Sequence, residues 1–171
     1  LYVRRLFMHD PSTLFRHLRS KFRYLFFLLI LGFSPLCSLS AEPLRVHFLD
    51  IGQGDSALIE SPSGKWILLD SGPSKSWKSL SAYLDRLKIK QIDLMINSHP
   101  HADHIGNAAR IINRYSVKAI VDSGFAHPIR AYRDFLEAVK EKDIPLRLGR
   151  LGRKIHIGGG AEIELLAPEA P

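Results

Sequence analysis

An apolar run that ends in three histidines and an aspartate constrains this chain more than any other feature. Residues 92–97 read as a strongly apolar strand, and Ser98-His99-Pro100-His101-Ala102-Asp103-His104 follows without a spacer. His99 and His101 are two apart, so an extended segment points both side chains to one side. Pro100 pushes the residue before it into the extended region. Asp103 and His104 then fall at the start of a helix, where they can project back toward the same space. Neutral imidazoles and a carboxylate are the ligands zinc takes in catalytic sites. The segment also lies at the C-terminal end of a strand, where α/β sheets place their sites. A lone histidine is more often a satisfied structural residue. Three of the chain's eight histidines within six positions, with an aspartate among them, point to a metal site.

The segments around this cluster predict an α/β layered domain. Residues 44–51, 56–60 and 65–70 read as strands separated by turns, Gly52-Gln53-Gly54-Asp55 and Ser61-Pro62-Ser63-Gly64. Residues 77–88 place Leu80, Tyr83, Leu84 and Leu87 at helical spacing, and residues 105–115 and 129–142 do the same for two further helices. A strand is expected at 117–121, and three short ones near 145–148, 154–157 and 162–166. Each helix has one apolar face, so the helices should cover sheets from outside.

Charge and cysteine use separate residues 1–41 from the rest. That stretch holds six Lys+Arg and one Asp, whereas 42–171 holds 18 basic and 16 acidic residues, so the net +7 is mostly N-terminal. Arg16, Arg19, Lys21 and Arg23 precede the apolar run 24–33, Pro35 breaks it, and Ser38, Ser40 and Ala41 follow. A basic head, a short apolar core and a small-residue exit are the layout of a secretory signal peptide. Residues 1–41 are therefore expected to be a signal peptide or an N-terminal membrane anchor. The protein would be exported: periplasmic, extracellular or anchored on the outer side. The chain opens on Leu1, with Met8 as an alternative start. Cys37 is the single cysteine, which excludes a disulfide framework or a cysteine-based zinc site.

The motifs together resemble a known family. His-x-His-x-Asp-His after an apolar strand resembles the metallo-β-lactamase superfamily of metal-dependent hydrolases. The run Phe48-Leu49-Asp50-Ile51-Gly52-Gln53-Gly54-Asp55-Ser56, then Ile67-Leu68-Leu69-Asp70-Ser71-Gly72, then residues 98–106, is similar to the hydrolase domain of ComEC-type DNA-internalisation proteins and their stand-alone relatives. The resemblance runs from about residue 44 to the end. It implies an αββα sandwich with one or two metal ions, usually zinc, at the edge between its sheets. On that reading His99 and His101 match ligands of a first metal, and Asp103 and His104 those of a second. Asp70 matches an aspartate that supports the ligand loop, and Asp50, Gln53 and Asp55 form a signature loop beside the site.

The family also needs a bridging aspartate and a further histidine from the second half of its domain. His127 and His156 are the histidines after the motif, and neither lies in a matching pattern, so both are expected to be ordinary surface or strand residues. Residues 42–171 are accordingly expected to be the N-terminal half of the sandwich, with its apolar strand faces incompletely covered.

No Gly-x-Ser-x-Gly nucleophile elbow is present, and Cys37 lies outside the domain. Hydrolysis by metal-bound hydroxide, with Asp103 in the catalytic set, is the expected chemistry. The bond would be a phosphodiester, as in a phosphodiesterase or nuclease, or an amide or thioester as elsewhere in the superfamily. The alternative is a catalytically inactive half-domain remnant. Arg147, Arg150, Arg153 and Lys154, and Arg110, Arg114 and Lys118, could meet nucleic-acid phosphates, but a solvated face is their commoner explanation. Expected partners are a hydrolysable substrate and, through residues 1–41 alone, a membrane. Nothing in the sequence points to a protein partner.

Overall fold

The computed structural model describes residues 42–168; the leader expected over 1–41 lies outside them. Ten short strands and four helices follow one another in the described part. They are β1 (Arg45–Phe48), β2 (Ala57–Glu60), β3 (Trp66–Leu69), α1 (Trp77–Arg86), β4 (Gln91–Ile92), β5 (Leu94–Asn97), α2 (Ala102–Ile105), α3 (Ala108–Arg114), β6 (Ser116–Val117), β7 (Ile120–Asp122), α4 (Arg130–Glu141), β8 (Leu146–Leu148), β9 (Lys154–Gly158) and β10 (Ala161–Glu164). A 3₁₀ turn, Ser74–Ser76, leads into α1.

Six strands form the main sheet in the order β1-β2-β3-β5-β7-β8. The first three are an antiparallel meander, and β3, β5, β7 and β8 run parallel. Strand β5 is buried along its whole length, as a central parallel strand must be when both faces are covered. Alternation along the strands divides the sheet's side chains between two faces. Leu58, Leu68, Met95 and Ile120 point to one face, where they pack with Leu80 and Leu84 of α1, Ile111 and Ile112 of α3, and Phe135 and Val139 of α4. Each helix thus buries its apolar stripe on the same side of the sheet.

Ile67, Leu94, Ile96 and Val121 point the other way and meet Ile157, with Ile155, Ile163 and Leu165 packed alongside. The cover here is the hairpin β9–β10 and the segment that follows it. Two open cavities of about 610 and 450 Å³ lie on this face. One is lined by Lys65, Arg147, Arg153 and Lys154. The other reaches Asn97, Ser98, Asp122 and Ser123.

Three expected elements are divided in the structure. The helix expected over 105–115 is two helices, α2 and α3, separated at Gly106 and Asn107. A Cβ on Gly106 would lie 2.5 Å from the Ser74 backbone nitrogen, so the chain passes there too closely for any side chain. Asn107 is fully buried, and its amide donates to the carbonyls of Ser71 and Pro73. Tertiary packing overrides helical continuity at this point. Likewise the apolar run 92–97 divides between β4 and β5, and the strand expected at 117–121 between β6 and β7, because Ile92 pairs with Val117 in a separate two-stranded parallel ladder.

Candidate metal centre

The parallel order β3-β5-β7 brings three loops to one edge of the sheet, because each leaves the C-terminal end of its strand. The loop after β3 carries Asp70, that after β5 carries Ser98 to His104, and that after β7 carries His127. His101 is extended (φ −84, ψ 150) and caps α2, so Asp103 and His104 lie in the first turn of that short helix.

The three expected histidines meet there. The His99 and His101 ring centroids are 4.6 Å apart, and those of His99 and His104 are 3.9 Å apart. Asp70 is 2% exposed and lies beneath them. Its Oδ1 accepts the Ser98 backbone N–H at 2.8 Å. Its Oδ2 accepts the Ser98 hydroxyl at 2.6 Å and His104 Nδ1 at 2.9 Å. An ionised carboxylate can only accept, so His104 carries its proton on Nδ1 and presents Nε2. The Ser98 hydroxyl spends its proton on Asp70 and must accept from His99 Nδ1, 3.0 Å away. His99 therefore also presents Nε2. One buried carboxylate sets the tautomer of two imidazoles, as carboxylates behind zinc-binding histidines do.

Asp70 reaches this position through a left-handed backbone, φ 54. Such a conformation costs free energy for a residue with a side chain and persists only when its surroundings fix it. Here the Asp70 backbone N–H donates to Ile96, and its carbonyl accepts the Ser56 hydroxyl. Burial, and then the His104 and His101 rings, hold the His99 pKa below its ordinary value. The neutral ring that results is the form a metal takes.

The loop at 50–55 packs on the same cluster. Gly54 has φ 115, and a Cβ there would collide with the carbonyl of Asp103. Gly52 also has positive φ but faces open space, so it serves turn geometry alone. Asp55 Oδ2 lies 3.6 Å from His104 Nδ1 with its side chain 77% exposed. Asp50 and Gln53 are exposed, and among the described residues neither side chain hydrogen-bonds to the cluster.

His127 was not expected here, yet its ring lies 5.5 Å from that of His101. His156 is exposed on β9, with Nδ1 3.4 Å from Glu162. The basic residues do not gather at the site. Arg114 pairs with Asp85 at 2.6 Å and Lys154 with Glu162 at 2.8 Å, while Arg147 and Arg153 line the cavity on the hairpin face.

As the side chains stand, no three His, Cys, Asp or Glu among the described residues are disposed to hold an ion. The donor set still fits zinc in kind. Two imidazoles present Nε2, the ring of a third, His101, makes no hydrogen bond among the described residues, and Asp103 adds a carboxylate.

Residues 49–169 match the model of the metallo-β-lactamase superfamily. The chain belongs to that superfamily. Metallo-β-lactamase superfamily proteins are generally hydrolases and metal-dependent, typically on zinc. ComE operon protein 3 of Bacillus subtilis (strain 168) is 29% identical across 74% of this chain and 18% of its own length. The chain thus spans about a fifth of that relative. Among solved structures, the metallo-β-lactamase fold protein YhfI from Bacillus subtilis is 18% identical at a TM-score of 0.47, covering 68% of this chain and 50% of its own. A diphosphatase of the PhnP family is 20% identical at a TM-score of 0.38, covering 60% and 40%. Among the described residues no helix is long and apolar enough to cross a membrane.

Proposed function

We propose that this chain is an exported metal-dependent hydrolase whose centre is the cluster His99, His101, Asp103 and His104, acting on a phosphodiester such as nucleic acid. The observation that carries the reading is Asp70, one buried carboxylate that orients both His99 and His104 to present Nε2. A histidine kept only for packing needs no such support.

The division of work among the residues follows from the geometry. His99, His101, Asp103 and His104 would hold zinc, one ion or two. Asp70 and Ser98 keep the two supported imidazoles aimed. The loop at 50–55, seated on Asp103 through Gly54, fixes the start of α2. When bound, zinc supplies Lewis acidity at the attacked centre. The phosphodiester preference rests on the sequence's resemblance to the ComEC-type branch. Export rests on the basic-then-apolar layout of residues 16–41.

Purified full-length chain, loaded with zinc, tests the reading on bis-p-nitrophenyl phosphate. Hydrolysis should disappear on chelation and return with zinc. His101→Ala and Asp103→Ala should each remove most of it. Full activity in metal-free protein would refute the proposal. Zinc binding without turnover of any phosphodiester, amide or thioester would favour a non-catalytic metal-binding domain.

A further inference from the structure

The loop after β7 delivers a histidine that neither motif nor spacing assigns. His127 stands 23 residues after His104 and is followed by Pro128. Its ring meets His101 edge-on, at 79° and 5.5 Å between centroids. Its Nδ1 is enclosed by protein and finds no hydrogen-bond partner among the described residues. A buried ring nitrogen without a partner is costly, so this atom is either a defect or a donor awaiting something.

The loop that carries it is tied down from both sides. Asp122 closes β7 at 2% exposure. The register pairs it with Asn97, whose amide donates to its Oδ2 at 3.3 Å. Its Oδ1 accepts the Gly124 N–H at 2.8 Å and the Tyr132 hydroxyl at 3.2 Å. One carboxylate thus holds the start of the loop and the first turn of α4, and His127 lies between these anchors. The ring reaches His101 on a fixed support.

Two imidazoles on one tetrahedral zinc, with bonds of about 2.0 Å, hold their ring centroids about 5 Å apart. The His99–His101 and His101–His127 separations of 4.6 and 5.5 Å lie on either side of that value. At 3.9 Å, His99 and His104 stand too close to share an ion without opening.

We propose that His127 is the third imidazole of a His99–His101–His127 zinc site. Such a set leaves the fourth position open, as catalytic three-histidine zinc sites do. Asp103 and His104, on the Asp70 side, remain for a second ion. The proposal rests on the metal-dependent reading above but assigns a ligand which that reading lacks. Binding requires the His101 ring to turn, since the nitrogens do not converge as they stand.

The test is zinc affinity of the purified full chain by competition with a chromophoric chelator, together with the visible spectrum of the cobalt form. His127→Ala should weaken zinc at one site by at least about tenfold and change the cobalt bands. His156→Ala should change neither. The apo proteins should melt alike, and zinc should raise the melting temperature less in His127→Ala than in the parent. If His127→Ala does not fold, His127→Gln takes its place in the same measurements. Parent-like zinc affinity and cobalt bands in the folded variant would overturn the assignment while leaving the metal-dependent reading intact. A parent chain that takes up no zinc would overturn both.

Discussion

Ser98 gives Asp70 both of its donors, the backbone N–H to one carboxylate oxygen and the hydroxyl to the other, across 28 residues of sequence. The pair joins the end of β3 to the end of β5, and it links His104 directly, and His99 through the Ser98 hydroxyl, to one carboxylate.

Removing that carboxylate should damage stability and the cluster together. Asp70→Ala strands three part-buried donors, the Ser98 N–H, the Ser98 hydroxyl and His104 Nδ1, and should cost about 3 kcal/mol. Asp70→Asn keeps the shape and tolerates positive φ, so it should cost less, but it cannot accept from all three donors. Urea denaturation of both variants checks the ranking. Zinc affinity should fall about 10- to 100-fold in Asp70→Asn, the usual loss when support behind a ligand is removed.

Two glycines two positions apart should respond differently to alanine. Gly54→Ala places a Cβ against the Asp103 carbonyl at φ 115 and should cost about 2–3 kcal/mol. Gly52→Ala meets open space and should cost about 1 kcal/mol, for its positive φ alone. Equal losses in the two variants, by thermal or urea melting, would argue against the seating of this loop on α2.

Tyr132 should make the fold sensitive to alkali. Burial, and then the neighbouring Asp122, push its phenol up to about 12 from the usual 10. The unfolded chain therefore loses this proton first, and the folded state holds more protons across that interval. Stability is complete below about pH 10 and declines as pH rises toward 12. Tyr132→Phe removes this contribution, so its urea midpoint should change less between pH 9 and 11 than the parent's. Circular dichroism melts at the two pH values measure the difference.

Asp122 should act on the cluster through the loop it ties. Asp122→Ala releases Asn97, Gly124 and Tyr132 from their shared acceptor and should cost about 2–4 kcal/mol. Hydrogen exchange should rise at Gly124 and along 125–129 before it rises in β5. Exchange that rises uniformly would mean the carboxylate supports the whole core and not this loop.

Much of the fold was legible because its signals are local. Leu80 and Leu84, or Tyr132, Phe135 and Val139, mark helices by spacing within one element, and the histidine motif is contiguous. Splitting of the helix at Gly106 and Asn107 was not legible, since it depends on backbone approach to Gly72 and Ser74, residues more than 30 positions away. The position of His127 beside His101 was not legible for a related reason. Nothing in its own neighbourhood separates it from a surface histidine, and it reaches His101 only because β7 lies beside β5. A signal did exist. Successive parallel strands that neighbour each other leave their following loops on one edge, so a histidine after the next apolar strand was a candidate by topology.

The parallel pairing of β3, β5 and β7 also governs when the centre can come into being. Asp70 meets Ser98 and His104, and His127 meets His101, only after strands separated by intervening helices have found each other. Such non-local pairings carry a loop-closure cost before any contact repays it, and they slow folding relative to local ones. No single hairpin or helix of this chain can preassemble the cluster. On the proposed metal-dependent reading, zinc would gain its ligands at a late step, and a chain stalled before β5 docks on β3 would offer the ion only a short peptide with three histidines.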